Sequence, residues 1–183
     1  MTPRQRVIVA LDVPGREEAR ALVDRLAGRV GMFKVGSRLF TAAGPDLVRE
    51  LVARGEKVFL DLKYHDIPDV VAAAVGEAAR LGVSLVDVHA LGGPTMMGAA
   101  VGALPALGTR LLAVTILTSH DQPELDQIGM EGPLAESVGR LARLAKAAGV
   151  DGVVASPREA GLLREACGPA FLIVTPGIRP AGA

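Results

Sequence analysis

The residues whose types and spacing fit chemistry come from one stretch, 58–68, which begins as an apolar strand and ends in alternating acids and bases. Successive side chains of a strand face opposite sides, so Asp61 and Lys63 share a face, about 6.6 Å apart at roughly 3.3 Å per residue. Asp66 follows in a loop that can carry it back over the same site. A turn would be served by Gly, Asn or Ser, and unpaired charges beside a buried strand are costly. The stretch therefore indicates a catalytic array.

The lysine of this array is suited to proton donation. Lys63 is flanked by carboxylates, which keep its ammonium group protonated because nearby negative charge favours the charged form. A protonated lysine is a proton donor, whereas a Schiff-base nucleophile would have to be neutral. Lys34, at the end of the neighbouring predicted strand, extends the array. The alternative is a strand end whose charges are only solvated, and the apolar strand that leads into the array argues against it.

Length and composition bound the class of protein. The chain has 183 residues, half of them hydrophobic, and we expect one domain over residues 1–183. The 20 basic and 20 acidic residues balance, and without a basic run they suggest neither nucleic acid nor an anionic membrane as a partner. No apolar run reaches the roughly 18 residues of a membrane span. A single cysteine excludes an internal disulfide framework and most metal clusters, so we expect a soluble, cytoplasmic protein.

Strand-like and helix-like segments alternate seven times, about 25 residues apart, which is typical of an α/β protein. The predicted strands are 6–12, 32–36, 57–63, 85–90, 110–118, 152–156 and 171–176. The predicted helices are 17–26, 45–54, 68–81, one that follows 92–94 and reaches about 104, 133–148 and 157–167. The polar segment 119–132 has no assigned element.

Polar residues gather at the C-terminal ends of the predicted strands. They are Asp12, Lys34, Asp61, Lys63, His89, Thr118, Ser156 and Arg179. Continuous apolar strands predict a parallel sheet covered by helices, and in a TIM (β/α)8 barrel the active site lies at this end. A doubly wound sheet would need a glycine-rich phosphate loop, which 13–16 is not. We therefore predict a TIM barrel with seven of its eight strand–helix units in this chain, C-terminally incomplete.

Eight segments carry a resemblance to a known family. They are Ala10–Asp12, Phe33–Gly36, Asp61–Pro68, Val88–Ala90, Met96–Met97, Ala113–Ser119, Asp151–Val154 and Val174–Pro180. The chain closely resembles the bacterial orotidine 5′-phosphate decarboxylases, and the resemblance extends along the whole chain. Its most specific element is the pattern Asp-x-Lys-x-x-Asp-Ile-Pro at 61–68.

The resemblance implies a decarboxylation of orotidine 5′-monophosphate to uridine 5′-monophosphate in pyrimidine synthesis, without metal or cofactor. Lys63 would protonate C6, and Asp61 would lie beside the departing carboxylate and destabilise it. Lys34 and Asp66 would complete the charge network. Asp66 would reach in from the other subunit of a homodimer, so the resemblance also implies a second copy of this chain as a partner.

The resemblance assigns substrate contacts as well. Asp12 and Lys34 would bind the ribose hydroxyls, and Thr118 would recognise the pyrimidine edge. Arg179 would hold the phosphate, and Ile67 would complete the substrate-binding set. The small-molecule substrate would thus be held by residues from several strand ends.

Two features of this sequence depart from the family pattern. The family usually has Thr two residues after the Ile-Pro pair, where it touches ribose across the dimer interface, and this chain has Val70. The family also has an eighth strand and further phosphate contacts, which are absent from a sequence that ends at Ala183. Because the reaction relies on phosphate binding energy, the resemblance implies weaker catalysis by the 183 residues alone.

Two other functions remain open from the sequence. The sugar-phosphate branch of the same superfamily shares Asp-x-Lys-x-x-Asp but needs Mg²⁺; Ile67–Pro68, Thr118 and the run 176–179 favour the nucleotide enzyme. A catalytically silent barrel scaffold is the second alternative. The four charges of the array argue against it, because a silent descendant has no reason to keep them.

Several other polar residues have structural alternatives. Asp87 and His89 suggest a metal site, but two ligands on one strand are weak evidence. For His65, a structural role and a role in the site are equally open. His89 is expected to orient its neighbours by hydrogen bonding. Structural roles are predicted for Met96 and Met97 as core, Ser156 as a helix cap and Cys167 as an inert thiol.

Overall fold

Seven parallel strands form one sheet in the computed structural model, which describes residues 2–105 and 108–179. The strands pair in chain order, so each strand neighbours the next, as in a β/α barrel. They are β1 (Ile8–Ala10), β2 (Met32–Gly36), β3 (Val58–Tyr64), β4 (Leu85–His89), β5 (Arg110–Val114), β6 (Gly152–Val154) and β7 (Leu172–Val174). The predicted parallel α/β architecture with seven strand units is confirmed. Pro180, in the last segment of the family resemblance, lies outside the described residues.

Eight α-helices accompany these strands in the described part of the chain. They are α1 (Arg16–Leu26), α2 (Ser37–Ala43), α3 (Pro45–Ala53), α4 (Pro68–Arg80), α5 (Gly93–Gly102), α6 (Gln122–Gln127), α7 (Leu134–Ala147) and α8 (Ala160–Cys167). Short 3₁₀ turns occupy Arg4–Arg6, Ala90–Gly92 and Pro157–Glu159. None of the described helices has the length and apolar character that crossing a membrane requires. The sequence did not predict α2 or α6.

Several strands are shorter than predicted, β5 most clearly, because it ends at Val114 rather than at Thr118. Its neighbour β6 has three residues, so the ladder has no further partners. The Thr115 backbone N–H and hydroxyl both donate to the Val154 carbonyl, at 3.1 and 3.0 Å, and close the ladder there. An apolar run therefore overestimates a strand when the partner strand stops first.

The side chains of the strands divide into two clusters. One packs against the helices and contains Val58 and Leu60 as well as the buried Met96 and Met97, as predicted. The other contains strand residues but no helix residue, so it fills the inside of the curled sheet. Its buried members are Met32, Phe59, Leu85, Leu112, Val114 and Val154. This apolar floor fixes the polar residues that follow on the same strands.

The segment 119–132, which had no predicted element, contains the capped helix α6. The Asp121 carboxylate accepts a hydrogen bond from the Glu124 N–H at 3.1 Å, and the Glu124 carboxylate accepts one from the Asp121 N–H at 3.3 Å. This reciprocal pair is a capping box, a signal that sequence inspection could have found. Ser156 accepts a hydrogen bond from the Arg158 N–H at 3.2 Å, so its predicted capping role is confirmed, although for a 3₁₀ turn.

We expect Asp121→Ala to lower the free energy of unfolding by about 1 kcal/mol, because α6 loses the acceptor for its first-turn N–H groups. For a chain of this size that corresponds to a fall in Tm of about 2–4 °C. Thermal unfolding followed by circular dichroism would measure it, with Glu131→Ala as an exposed control in the same segment. Equal Tm values for the two variants would show that the cap contributes nothing.

Candidate active site

The site is built around an irregularity in β3. Its register with β4 pairs Leu60 with Val86 and then Tyr64 with Val88, so three residues of β3 lie opposite one residue of β4. Within this bulge Lys63 has φ of 51°, a left-handed conformation that costs a non-glycine residue about 1–3 kcal/mol. The predicted strand therefore does extend through Lys63, but the bulge interrupts the regular spacing that was expected between Asp61 and Lys63. The bulge adds two residues to β3, which is one full period of the alternation. The side chains after the bulge therefore point to the same faces as they would in a regular strand.

The bulge brings Lys63 directly onto Asp61. Asp61 Oδ1 accepts a hydrogen bond from Lys63 Nζ, and Asp61 Oδ2 lies 2.9 Å from Lys34 Nζ on β2. Lys34 Nζ in turn lies 3.6 Å from Asp12 Oδ1, just after β1. Three neighbouring strands thus supply a continuous row of acid, base, acid and base. The Asp61 side chain is the most buried of the four at 11% exposed, whereas Lys63 and Asp12 at the two ends of the row are 36% and 69% exposed.

Asp61 is ionised within this row. Burial alone would raise its pKa, but the hydrogen bond from Lys63 and the positive charge of Lys34 help to outweigh burial and hold the pKa of Asp61 below its ordinary value. A carboxylate fixed between two ammonium groups is a preorganised pattern of charge. Such a pattern lowers a barrier in which negative charge moves within the site.

Asp87 lies beneath the row and is the single β4 residue opposite the bulge. It is fully buried, and its Oδ1 accepts a hydrogen bond from the Lys63 backbone N–H at 2.8 Å. Burial, reinforced by the nearby charge of Asp61, raises the pKa of Asp87 well above its ordinary value. The sequence had considered this residue only as a metal ligand. Side chains alternate between the two faces of a strand, so Asp87 shares a face of β4 with Leu85 and His89. This alternation could have placed Asp87 inside the barrel.

Two histidines lie beside the row. The rings of His65 and His89 stack with centroids 5.6 Å apart and planes inclined by 30°. Burial lowers the pKa of His89, and the charges of His65 and Lys63 lower it further. His89 is therefore neutral at neutral pH. Among the described residues, no group of three or more His, Cys, Asp or Glu could hold a metal ion, so the suggested Asp87–His89 metal site gains no further ligand.

Gly36, at the end of β2, has a role that the sequence did not assign. A Cβ atom added there would lie 3.2 Å from Lys34 Nζ and 3.8 Å from Asp12 Oδ1. The missing side chain therefore leaves the space in which these two charged groups meet. In the sequence, this glycine stood out only as part of a segment that resembles the decarboxylase family. The neighbouring residues in the sequence do not show which charged groups meet beside it.

Four predicted site residues do not reach the row within one chain. Asp66 is exposed, and its Oδ1 accepts a hydrogen bond from the Ile67 N–H at 2.7 Å, while Ile67 itself is 64% exposed. Thr118 is exposed beyond the end of β5. Arg179 is exposed and donates a long hydrogen bond to the Gly177 carbonyl at 3.5 Å. The structure thus brings together Asp12, Lys34, Asp61 and Lys63. The other four predicted site residues lie at the surface of the described chain.

The fold and the site together define a β/α-barrel enzyme with an acid–base array at the C-terminal ends of its strands. The chain belongs to the family described as orotidine 5′-phosphate decarboxylase / HUMPS, whose model matches residues 5–183. The predicted family is therefore confirmed.

Individual relatives agree with this assignment. The orotidine 5′-phosphate decarboxylase of Pelobacter propionicus is 57% identical over 182 residues, which cover 97% of this chain and 76% of the relative. That of Geobacter sulfurreducens is 56% identical, with 97% of this chain and 77% of the relative covered. The crystal structure of orotidine 5′-phosphate decarboxylase from Lactobacillus acidophilus matches with a TM-score of 0.88 and 43% identity, over 96% of this chain and 82% of that one. The predicted TIM-barrel fold is confirmed by this similarity.

Proposed function

We propose that this protein decarboxylates orotidine 5′-monophosphate to uridine 5′-monophosphate in pyrimidine synthesis, with no metal or cofactor. The observation that carries the proposal is the row formed by Asp12, Lys34, Asp61 and Lys63. Relatives that are more than half identical and bear the decarboxylase name support the same substrate. A cytoplasmic location is part of the proposal, since nucleotide synthesis takes place there.

The row suits the chemistry of this reaction. When the bond between C6 and the carboxylate breaks, CO2 leaves and the electron pair stays on C6, which has no conjugated group to accept it. Lys63 would give its ammonium proton to C6 and become a neutral amine. Asp61 would lie beside the substrate carboxylate, so their repulsion would be relieved as CO2 departs. Only interactions that improve toward the transition state accelerate the step, and both of these do so.

The remaining contacts are proposed from the family resemblance. Asp12 and Lys34 would bind the ribose hydroxyls, and Thr118 and Ile67 would contact the pyrimidine end of the substrate. Arg179 would bind the phosphate, whose binding energy would hold the base against the row. The exposure of Arg179 leaves its guanidinium accessible to such a ligand.

The activity is tested by following the pyrimidine absorbance change of orotidine 5′-monophosphate with the chelator EDTA present. Turnover that survives EDTA would support the cofactor-free decarboxylase. A strict Mg²⁺ requirement with a sugar phosphate as substrate would support the other branch of the family instead. No turnover of either substrate by the folded protein would favour the silent scaffold.

The proposal includes a homodimer in which Asp66 completes the site of the partner subunit. Two apolar residues that follow Asp66 in the chain support an interface there: Ile67 and Val70 are 64% and 48% exposed. Exposed apolar groups around a charged residue are typical of a protein contact surface. The carboxylate of Asp66 accepts a hydrogen bond from the Ile67 N–H and pairs with no lysine of the row within the described chain, so a partner could receive it.

We expect two inactive variants, Lys63→Ala and Asp66→Asn, to restore activity when they are mixed and allowed to exchange subunits. Each mixed dimer then holds one site with both native residues, so about a quarter of all sites regain activity at equal mixing. Turnover of the mixture, compared with that of each variant alone, measures this. Lack of recovery in a mixture shown by sedimentation to contain dimers would refute the shared site.

A further inference from the structure

The buried carboxyl of Asp87 is the feature that the proposed reaction leaves without a function. It lies opposite the bulge of β3, where the register change leaves the Lys63 N–H without a strand partner, and its Oδ1 accepts that hydrogen bond at 2.8 Å. Its Oδ2 is buried and has no hydrogen-bond partner among the described residues when the group is counted as a carboxylate. A buried polar atom that lacks a partner is costly, so this oxygen requires an explanation.

The neighbour that Asp87 faces is the carboxyl of Asp61. Asp61 and Asp87 follow the last regular pair, Leu60 and Val86, and both face the inside of the barrel. Two ionised carboxylates in such a place would repel one another, whereas one proton between them provides a hydrogen bond. Lys34 and Lys63 hold Asp61 in its charged form, so the proton belongs on Asp87.

We propose that Asp87 is a positioning residue that works as a neutral acid. It accepts the Lys63 backbone N–H with one oxygen and donates its own proton to the Asp61 carboxylate with the other. This arrangement rests on the proposed decarboxylase function for its catalytic meaning. The left-handed backbone of Lys63 and the orientation of Asp61 are then fixed by one side chain, which holds the proton donor in place.

The surroundings of Asp87 agree with a neutral acid. The titratable groups that face it are Asp61, Lys63 and Tyr64 on β3, and its register partner on β5 is the apolar Leu112. Burial together with the charge of Asp61 raises the pKa of Asp87 well above its ordinary value, and the Lys63 N–H and ammonium oppose this without reversing it. An amide in place of this carboxyl would reproduce both of its hydrogen bonds.

The test compares Asp87→Asn with Asp87→Leu, whose side chain has the same branched shape, is somewhat larger and has no polar atoms. We expect Asp87→Asn to stay within about threefold of wild-type kcat, and Asp87→Leu to lose about 10- to 100-fold in kcat with a much smaller change in KM, because small misplacement of a reacting group has effects of this size. Both are measured where circular dichroism shows each variant fully folded. A 100-fold loss in Asp87→Asn would overturn the proposal, since it would show that the charge of Asp87 is needed.

A readout that needs no substrate separates this proposal from the proposed function. The folded pKa of Asp87 is above its unfolded value, so its contribution to stability is full below the unfolded pKa and is lost as pH rises through the folded one. Asp87→Asn does not titrate, so its Tm relative to wild type should rise between pH 4 and pH 8. Infrared difference spectra of the two proteins at pH 7 should also show a protonated carboxyl band. A relative Tm that falls with pH, or a missing carboxyl band, would overturn the proposal for Asp87 even in an active enzyme. A rising relative Tm and a carboxyl band in an inactive protein would support the neutral Asp87 and refute the decarboxylase function.

Discussion

Lys63→Ala is expected to lower kcat/KM for orotidine 5′-monophosphate by about 10³- to 10⁴-fold, which is the upper range for a lost general acid. Lys63 is the cation at the β3 end of the row, and its Nζ donates directly to Asp61. Alanine removes the proton for C6 and also one of the two cations that hold Asp61 ionised. The same absorbance assay measures the loss, in protein shown to be folded by circular dichroism.

The matched control for this prediction is Lys57→Ala, because Lys57 is an exposed lysine just before the same strand. It should retain wild-type activity. If both variants stayed fully active, Lys63 would not be the proton donor and the proposed mechanism would be wrong. If both lost activity together with folded signal, the cause would be the structure of β3 rather than its chemistry.

The fold was predictable because its signals are local and repeated. Each strand is a short apolar run bounded by helix-starting or turn residues, and the unbroken runs predict a parallel sheet without knowledge of tertiary contacts. The ends of β5 and β7 were not predictable in this way, because a strand ends where its neighbour ends. The helix α6 was missed although its capping box is visible in the sequence at Asp121 and Glu124.

The sequence could group three charged residues of the row, but it could not predict their geometry. Asp61, Lys63 and Lys34 could be grouped because their strands are neighbours and end at the same edge. The bulge that brings Lys63 onto Asp61 depends on the register of β3 against β4, which is a contact between segments 24 residues apart. The role of Asp87 follows from that register, so it could not be seen before the structure.

Asp61→Asn is the second variant with a large expected effect, and its kinetic pattern differs from that of Lys63→Ala. We expect kcat to fall by about 10²- to 10³-fold, because the repulsion between Asp61 and the substrate carboxylate would no longer be relieved as CO2 leaves. The same repulsion weakens binding of the substrate in wild type, so KM should fall as well. A lower kcat together with a lower KM is the pattern of lost ground-state strain.

The control is Asp46→Asn, an exposed aspartate on α3 whose carboxylate pairs only with Arg49 within the described chain. It should leave both constants unchanged. A rise in KM for Asp61→Asn would mean that Asp61 helps to bind the substrate, and would contradict the destabilising role. An unchanged kcat would remove Asp61 from the chemistry altogether.

The pH dependence of stability gives an independent check on Asp61. Because its pKa is lowered in the folded chain, its contribution to stability is present above the unfolded value, about 3.9, and is lost as pH falls through the folded value. The Tm deficit of Asp61→Asn should therefore be largest near neutral pH and shrink in acid, which is the reverse of the trend from Asp87. Opposite trends from two adjacent carboxyls would show that one is held charged between two lysines and the other neutral beneath it, which is the arrangement that a lysine proton donor needs.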